Sequence, residues 1–238
     1  MNLLVLLTHA LAAYATVAAP WLGWMWYRKA RRRIAAGAAD AKVRMYREVI
    51  AEQIMTISVV LAIWRYGDAS AKSLGLIAPR FVALNAVALI AFVALLFWSS
   101  LHLRPKAERL RKQTEKSVGA LIPRTSSERF WFGMVSVGAG ISEELVFRGF
   151  LFFYFTTYLP QLNAAEKLLL CTVFFGVAHL YQGWKGALGA GILGLILGVL
   201  YLLTGSLVPS IVVHAAVDWR VLLIFPPERA QTATVVTG

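Results

Sequence analysis

Cysteine and charge are both scarce in this sequence, and each scarcity removes a class of protein. The single cysteine, Cys171, stands inside an apolar run. Neither a disulfide framework nor a cysteine-based zinc motif can be built within one such chain, and a lone cysteine in that setting is a packing residue. Asp, Glu, Lys and Arg together make up 15% of the 238 residues against 59% hydrophobic, and the mean hydropathy is +0.66. An ordinary soluble domain carries about 25% charged residues, and a soluble fold of this length needs more polar surface than this chain can supply. The composition therefore indicates an all-α, polytopic transmembrane helix bundle with lipid as its outer solvent.

Acidic residues are scarcer than basic ones, 12 against 24, for a formal charge of +12. Eight of the 24 Lys and Arg lie between Arg28 and Arg47 and eight between Arg104 and Arg129. Both clusters fall between apolar runs, the pattern of cytoplasmic loops meeting anionic headgroups, which makes membrane lipid a partner and argues against nucleic acid. A bilayer core needs about 20 apolar residues per helix. Seven apolar runs are read as spans: Asn2 to about Tyr27, and about Val49 to Tyr66, Phe81 to Leu103, Phe130 to Leu159, Glu166 to Tyr181, Gly186 to Thr204 and Val208 to Phe225. The first closes on an aromatic belt (Trp21, Trp24, Trp26, Tyr27) and has no basic n-region, so it reads as a retained span and not a cleaved signal. The segment Arg104 to Arg129, with Pro105 and Pro123, is expected to hold an amphipathic interfacial helix. The tail after Pro227 is expected to be short and disordered. Placing both basic clusters in the cytoplasm puts the N-terminus outside and the C-terminus inside. Small size and Ala-rich composition favour a bacterial plasma membrane.

Glycine is not scarce in the sixth run. Gly186, Ala190, Gly194 and Gly198 recur every four residues, a small-residue stripe that admits a second helix closely. A nucleotide loop is a poor reading, because the run is apolar and follows no strand.

Ionisable groups within apolar runs are costly and call for a role. The fourth run reads GAGISEELVFRGFLFF, with Glu143 and Glu144 near its middle and Arg148 one turn after Glu144 on the same face. Glu144 and Arg148 are placed to pair, either as a structural salt bridge or as part of a site. Glu143 points about 100° away; a carboxylate without an intrahelical cation is suited to general acid/base work. His179 lies toward the end of the fifth run, and His214 lies in the seventh with Asp218 one turn on. His9 and His102, near run ends, read as interfacial or packing residues. Acid and imidazole groups on three separate helices favour one polar site enclosed by the bundle.

These residues resemble the motifs of the CAAX prenyl protease and bacteriocin-processing family, often called CPBP or Abi. EELVFR (Glu143–Arg148) is similar to its Glu-Glu-x-x-x-Arg motif, FGVAH (Phe175–His179) to Phe-x-x-x-His, and HAAVD (His214–Asp218) to His-x-x-x-Asn/Asp. Order and separation also agree, and the resemblance covers about Phe130 to Phe225. It divides one integrated membrane domain into N-terminal spans and basic segments (1–129), a catalytic helical core (130–225) and a tail (226–238).

The resemblance implies an endopeptidase with a cavity open to the cytoplasmic side. Glu143 with His179 would activate a water, His214 and Asp218 would stabilise the oxyanion, and Glu144 with Arg148 would orient the site. The prenyl-protease branch usually has Asn where this chain has Asp218. Asp donates a hydrogen bond only when protonated, so the alternative is that Asp218 fixes the tautomer of His214. Two His and a Glu can complete a zinc site with an open position, which would use Glu143, His179 and His214. No His-Glu-x-x-His pattern supports this independently, and metal-free chemistry is the favoured reading. A lipidated protein, a bacteriocin leader or a sorting segment would each serve as the peptide substrate. The rival classes are a transporter or proton relay, which would show repeat-related broken helices that the sequence lacks, and a non-catalytic immunity or scaffold protein of the same fold.

Overall fold

A computed structural model describes residues 3–80, 82–114 and 118–227. Helix is the only regular structure among them. The chain runs through α1 (Leu3–Ala35), α2 (Ala41–Tyr66), α3 (Val82–Leu103), α4 (Ala107–Thr114), α5 (Ser126–Tyr158), α6 (Ala164–Ala178), α7 (Trp184–Thr204), α8 (Leu207–Trp219) and the short α9 (Val221–Ile224). Asn2, Phe81 and the tail expected to be disordered beyond Pro227 lie outside the described residues. Six helical stretches are long and apolar enough to cross a membrane.

The expected span that falls short is the fifth, α6, which has only 15 residues. At 1.5 Å per residue it is roughly 22 Å long, short of the ~30 Å hydrocarbon core. The expected run to Tyr181 overshoots because the helix stops at Ala178 and a 3₁₀ turn, Leu180–Gln182, follows. The basic segment does contain a short surface helix, α4, entered through a 3₁₀ turn at Arg104–Lys106. On α3, Leu84, Val87 and Ile90 are exposed, an apolar outer surface that only lipid or another apolar partner satisfies.

Two of the long helices are interrupted by π-helical turns, at Tyr14–Ala18 in α1 and at Leu145–Phe150 in α5. Such turns insert a residue into the helix, widen it, and recur at functional sites. The second begins immediately after Glu144 and contains Arg148, and all six of its residues are buried.

Capping fixes where the site-bearing helices begin. Thr125 Oγ1 accepts from the Glu128 amide at 3.2 Å, and Glu128 Oε2 accepts from the Arg124 and Thr125 amides, a reciprocal box that starts α5. Lys42 Nζ donates to Ile122 O (2.9 Å) and lies 3.3 Å from Glu128 Oε2, tying the start of α2 to the same corner. Asn163 and Glu166 make the equivalent box at α6. Ser206 caps α8 through the Val208 amide and donates to Ile77 O at 2.6 Å. Gly75 sits at φ +69°, where a Cβ would strike the Tyr201 ring and Leu207; the 67–80 loop thereby closes over the α7–α8 turn. Ser210 Oγ donates to Leu197 O at 2.9 Å, locking α8 to α7 one turn before His214.

The core is centred on Val60, Leu74, Phe150, Leu151 and Leu207, all fully buried. The expected glycine stripe of α7 is only partly its packing face. Gly194 and Gly198 do lie against side chains of neighbouring helices, at Phe175 and Leu168. On α6, however, a Cβ at Gly176 would meet the backbone of Ala187 (3.1 Å) and Gly191 (3.5 Å), both outside the stripe.

Candidate active site

The polar residues singled out in the sequence reach one place from three helices. Glu143, Glu144 and Arg148 come from the middle of α5, His179 caps the C-terminus of α6, and His214 and Asp218 come from α8. Glu144 Oε1 is the hub. It accepts from Arg148 Nη1 at 2.8 Å and lies 2.7 Å from His214 Nδ1. Arg148 spends its other terminal nitrogen on Gly194 O at 2.8 Å, and its guanidinium stacks 4.3 Å from the centroid of Phe175. Gly194 is obligatory there, since a Cβ would stand 2.9 Å from the Phe175 ring and 3.0 Å from Arg148 Nη2.

Glu144 is 0% exposed, Arg148 2% and His214 3%. Cavity-facing groups differ sharply: the Glu143 side chain is 30% exposed, His179 14% and Asp218 37%. The first set is enclosed by the bundle, and the second reaches the cavity. Glu143 leaves the helix on a different bearing from Glu144, as the helical repeat requires. Its Oε2 lies 3.7 Å from His179 Nε2 and 3.8 Å from His214 Nε2.

Both imidazoles are oriented through Nδ1. His179 Nδ1 is 2.8 Å from Phe175 O. A carbonyl only accepts, so this nitrogen carries the proton and Nε2 is left to face Glu143. His214 Nδ1 faces a carboxylate already paired with arginine, and the same logic places its proton there. The tautomer of His214 is thus set by Glu144 and not by Asp218, whose Oδ2 stands 3.8 Å from Nε2, beyond hydrogen-bond range. Phe175 gains its role from position: fully buried, it holds His179 through its carbonyl while its ring meets Arg148, His179 and His214.

A cavity of about 720 Å³ opens on Glu143, His179 and Asp218. Its opposite wall comes from α1 and α2, helices whose sequence pointed to nothing beyond spanning. Tyr14 donates to Glu52 Oε1 at 2.8 Å and Trp26 Nε1 to Glu48 Oε2 at 2.7 Å, and all four residues line the cavity. Gln53 lines it too, donating to Val135 O at 3.2 Å. The sequence signal for this wall is Glu52 and Gln53 inside an apolar run. His9 and His102 stay apart from the site: His9 Nδ1 bonds Tyr154 Oη at 2.9 Å, and His102 Nδ1 bonds Trp98 O at 3.0 Å.

Glu143 Oε2 and the two Nε2 atoms are donors of the kind zinc accepts. Among the described residues, however, no three His, Cys, Asp or Glu groups are arranged to hold an ion. The set does not fit a metal as it stands.

Residues 125–220 match the family described as type II CAAX prenyl endopeptidase Rce1-like. All six polar residues lie within the matched segment, whereas the α1 and α2 wall of the cavity lies outside it. No curated protein and no solved structure matches the chain. The match is to that segment alone, and six helical stretches among the described residues are long and apolar enough to cross a membrane.

Proposed function

We propose that, with residues 125–220 Rce1-like, the chain is an endopeptidase that hydrolyses a peptide bond of a prenylated peptide or protein, using Glu143 as general base. The observation that carries this is the position of Glu143 Oε2 between two imidazole Nε2 atoms, at 3.7 and 3.8 Å. Such gaps are too long for direct hydrogen bonds and suit one shared water. Glu143 removes a proton from that water while His179 Nε2 helps to hold it. The water oxygen bonds to the scissile carbonyl carbon, and the carbonyl π electrons move to oxygen. Glu143 then gives its proton to the amide nitrogen, the C–N bond breaks, and a carboxylic acid and an amine leave.

His214 in its imidazolium form turns an Nε2 donor toward the oxyanion, and Glu144 with Arg148 holds the ring in place. A largely apolar cavity suits a lipidated segment. Cytoplasmic cleavage is supported by the cavity's lining at Tyr46, Leu121 and Ile122, which border the two basic segments. The deciding experiment compares wild type with Glu143→Gln, purified in detergent, on farnesylated and unmodified peptides. Cleavage surviving in the variant removes the general base. Equal cleavage of both peptide kinds removes the prenyl requirement.

A further inference from the structure

Tyr181 belongs to none of the three motifs. It lies two residues after His179, on the 3₁₀ turn that ends α6, and lines the cavity with Glu143, His179 and Asp218. Its ring is held from two sides: it stacks on His179 (centroids 5.9 Å apart, planes at 29°) and meets Tyr27 edge-on at 5.3 Å. Its hydroxyl oxygen accepts from Gln182 Nε2 at 3.0 Å. A phenol that accepts one hydrogen bond still has its own proton to donate. Among the described residues no group takes that proton.

The reaction needs a donor. Hydrolysis places negative charge on the former carbonyl oxygen, and a preorganised donor aimed at that point is often the largest single contribution to rate. Beyond His214 Nε2, which the reading above already turns toward the oxyanion, the other candidates for a second donor are committed. Arg148 is bound to Glu144 and Gly194, His179 Nδ1 to Phe175 O and His214 Nδ1 to Glu144. An ionised Asp218 only accepts. Ser142, beside Glu143, is the competing cavity hydroxyl.

We infer that the Tyr181 hydroxyl donates a hydrogen bond to the oxyanion of the tetrahedral intermediate, with Gln182 as the positioning residue that fixes its direction. This rests on the peptidase reading above. A phenol holds its proton up to about pH 10, so Tyr181 serves as a donor across the working range without any proton changing hands.

The test uses full-length protein in detergent and the peptide that wild type cleaves fastest from a library of lipidated and unlipidated peptides. Tyr181→Phe keeps the ring and its stacking and removes only the donor. Its kcat is expected to fall about 100-fold with KM unchanged, and a phosphinate analogue of the same peptide should bind more weakly by the same factor. Gln182→Ala should give a smaller fall of the same kind. Wild-type kcat in Tyr181→Phe, a change confined to KM, or loss on Ser142→Ala with Tyr181→Phe unaffected would each overturn the assignment. An inactive Glu143→Gln beside a fully active Tyr181→Phe defeats this inference alone. An active Glu143→Gln, or a wild type that cleaves nothing in the library, defeats the peptidase reading and this one with it.

Discussion

His214 Nδ1 stands 2.7 Å from Glu144 Oε1, although seventy residues separate them in the chain. The contact joins α8 to the middle of α5 and sets which face of the imidazole looks into the cavity. Arg148 donates to the same carboxylate oxygen at 2.8 Å, which places a countercharge beside a side chain that is 0% exposed.

Removing either cavity-facing partner should stop the chemistry and spare the fold. Glu143→Gln and His179→Ala are each expected to reduce cleavage at least 100-fold, within the range general acid/base catalysis contributes. Membrane insertion and helicity by circular dichroism should stay at wild-type level. Undiminished cleavage in either variant would dissolve the proposed water-activating pair.

Arg148→Ala should behave differently. It leaves Glu144 buried with only His214 opposite it, and breaking a buried pair from one side is destabilising by about 3–5 kcal/mol. Folded yield and detergent melting temperature should therefore fall along with activity. Replacing both members, as Glu144→Gln with Arg148→Met, should recover part of the yield without the activity. Normal yield with lost activity in Arg148→Ala alone would assign the arginine a direct part in the reaction.

Gly194→Ala should disturb the site from behind. The added methyl meets the Phe175 ring and the Arg148 guanidinium, and overpacking of this kind costs about 1–3 kcal/mol. Activity should fall more than stability, because the displaced groups orient both histidines. Gly189→Ala, where a Cβ meets nothing within 4 Å, is the matched control. A pair of variants indistinguishable in cleavage would mean that Gly194 only fills space.

Chelation tests the metal-free scheme against a zinc mechanism. On the metal-free mechanism, protein dialysed against EDTA and 1,10-phenanthroline retains its kcat, and elemental analysis finds substoichiometric zinc. One zinc per chain, with cleavage lost on chelation and restored by the ion, would replace the general-base scheme.

The polar cluster was legible in the sequence because charge inside an apolar run stands out, and because helical spacing alone places Glu144 and Arg148 on one face and Glu143 on another. The helix count was nearly legible for the same reason. The sequence stayed silent where the deciding physics is tertiary. The π turn at Leu145–Phe150 has the composition of any apolar helix. The end of α6 at Ala178 falls inside a run that hydropathy alone carries on to Tyr181. Tyr181 stands at the end of an apolar run, and Glu52 is a charge within one. Their roles appear only when α1 and α2 are set against α5 around a shared space.

The 15 residues of α6 bear on how the proposed hydrolase would work inside oil. A rod that gives out before the far headgroups obliges the chain to finish its passage as turn, and peptide dipoles in a turn tolerate hydrocarbon only where protein or moisture receives them. His179 is the residue at which that begins. On the peptidase proposed above, the foreshortened rod leaves His179 and its turn facing the cavity, where the nucleophile would reach the bond without permeating the acyl chains.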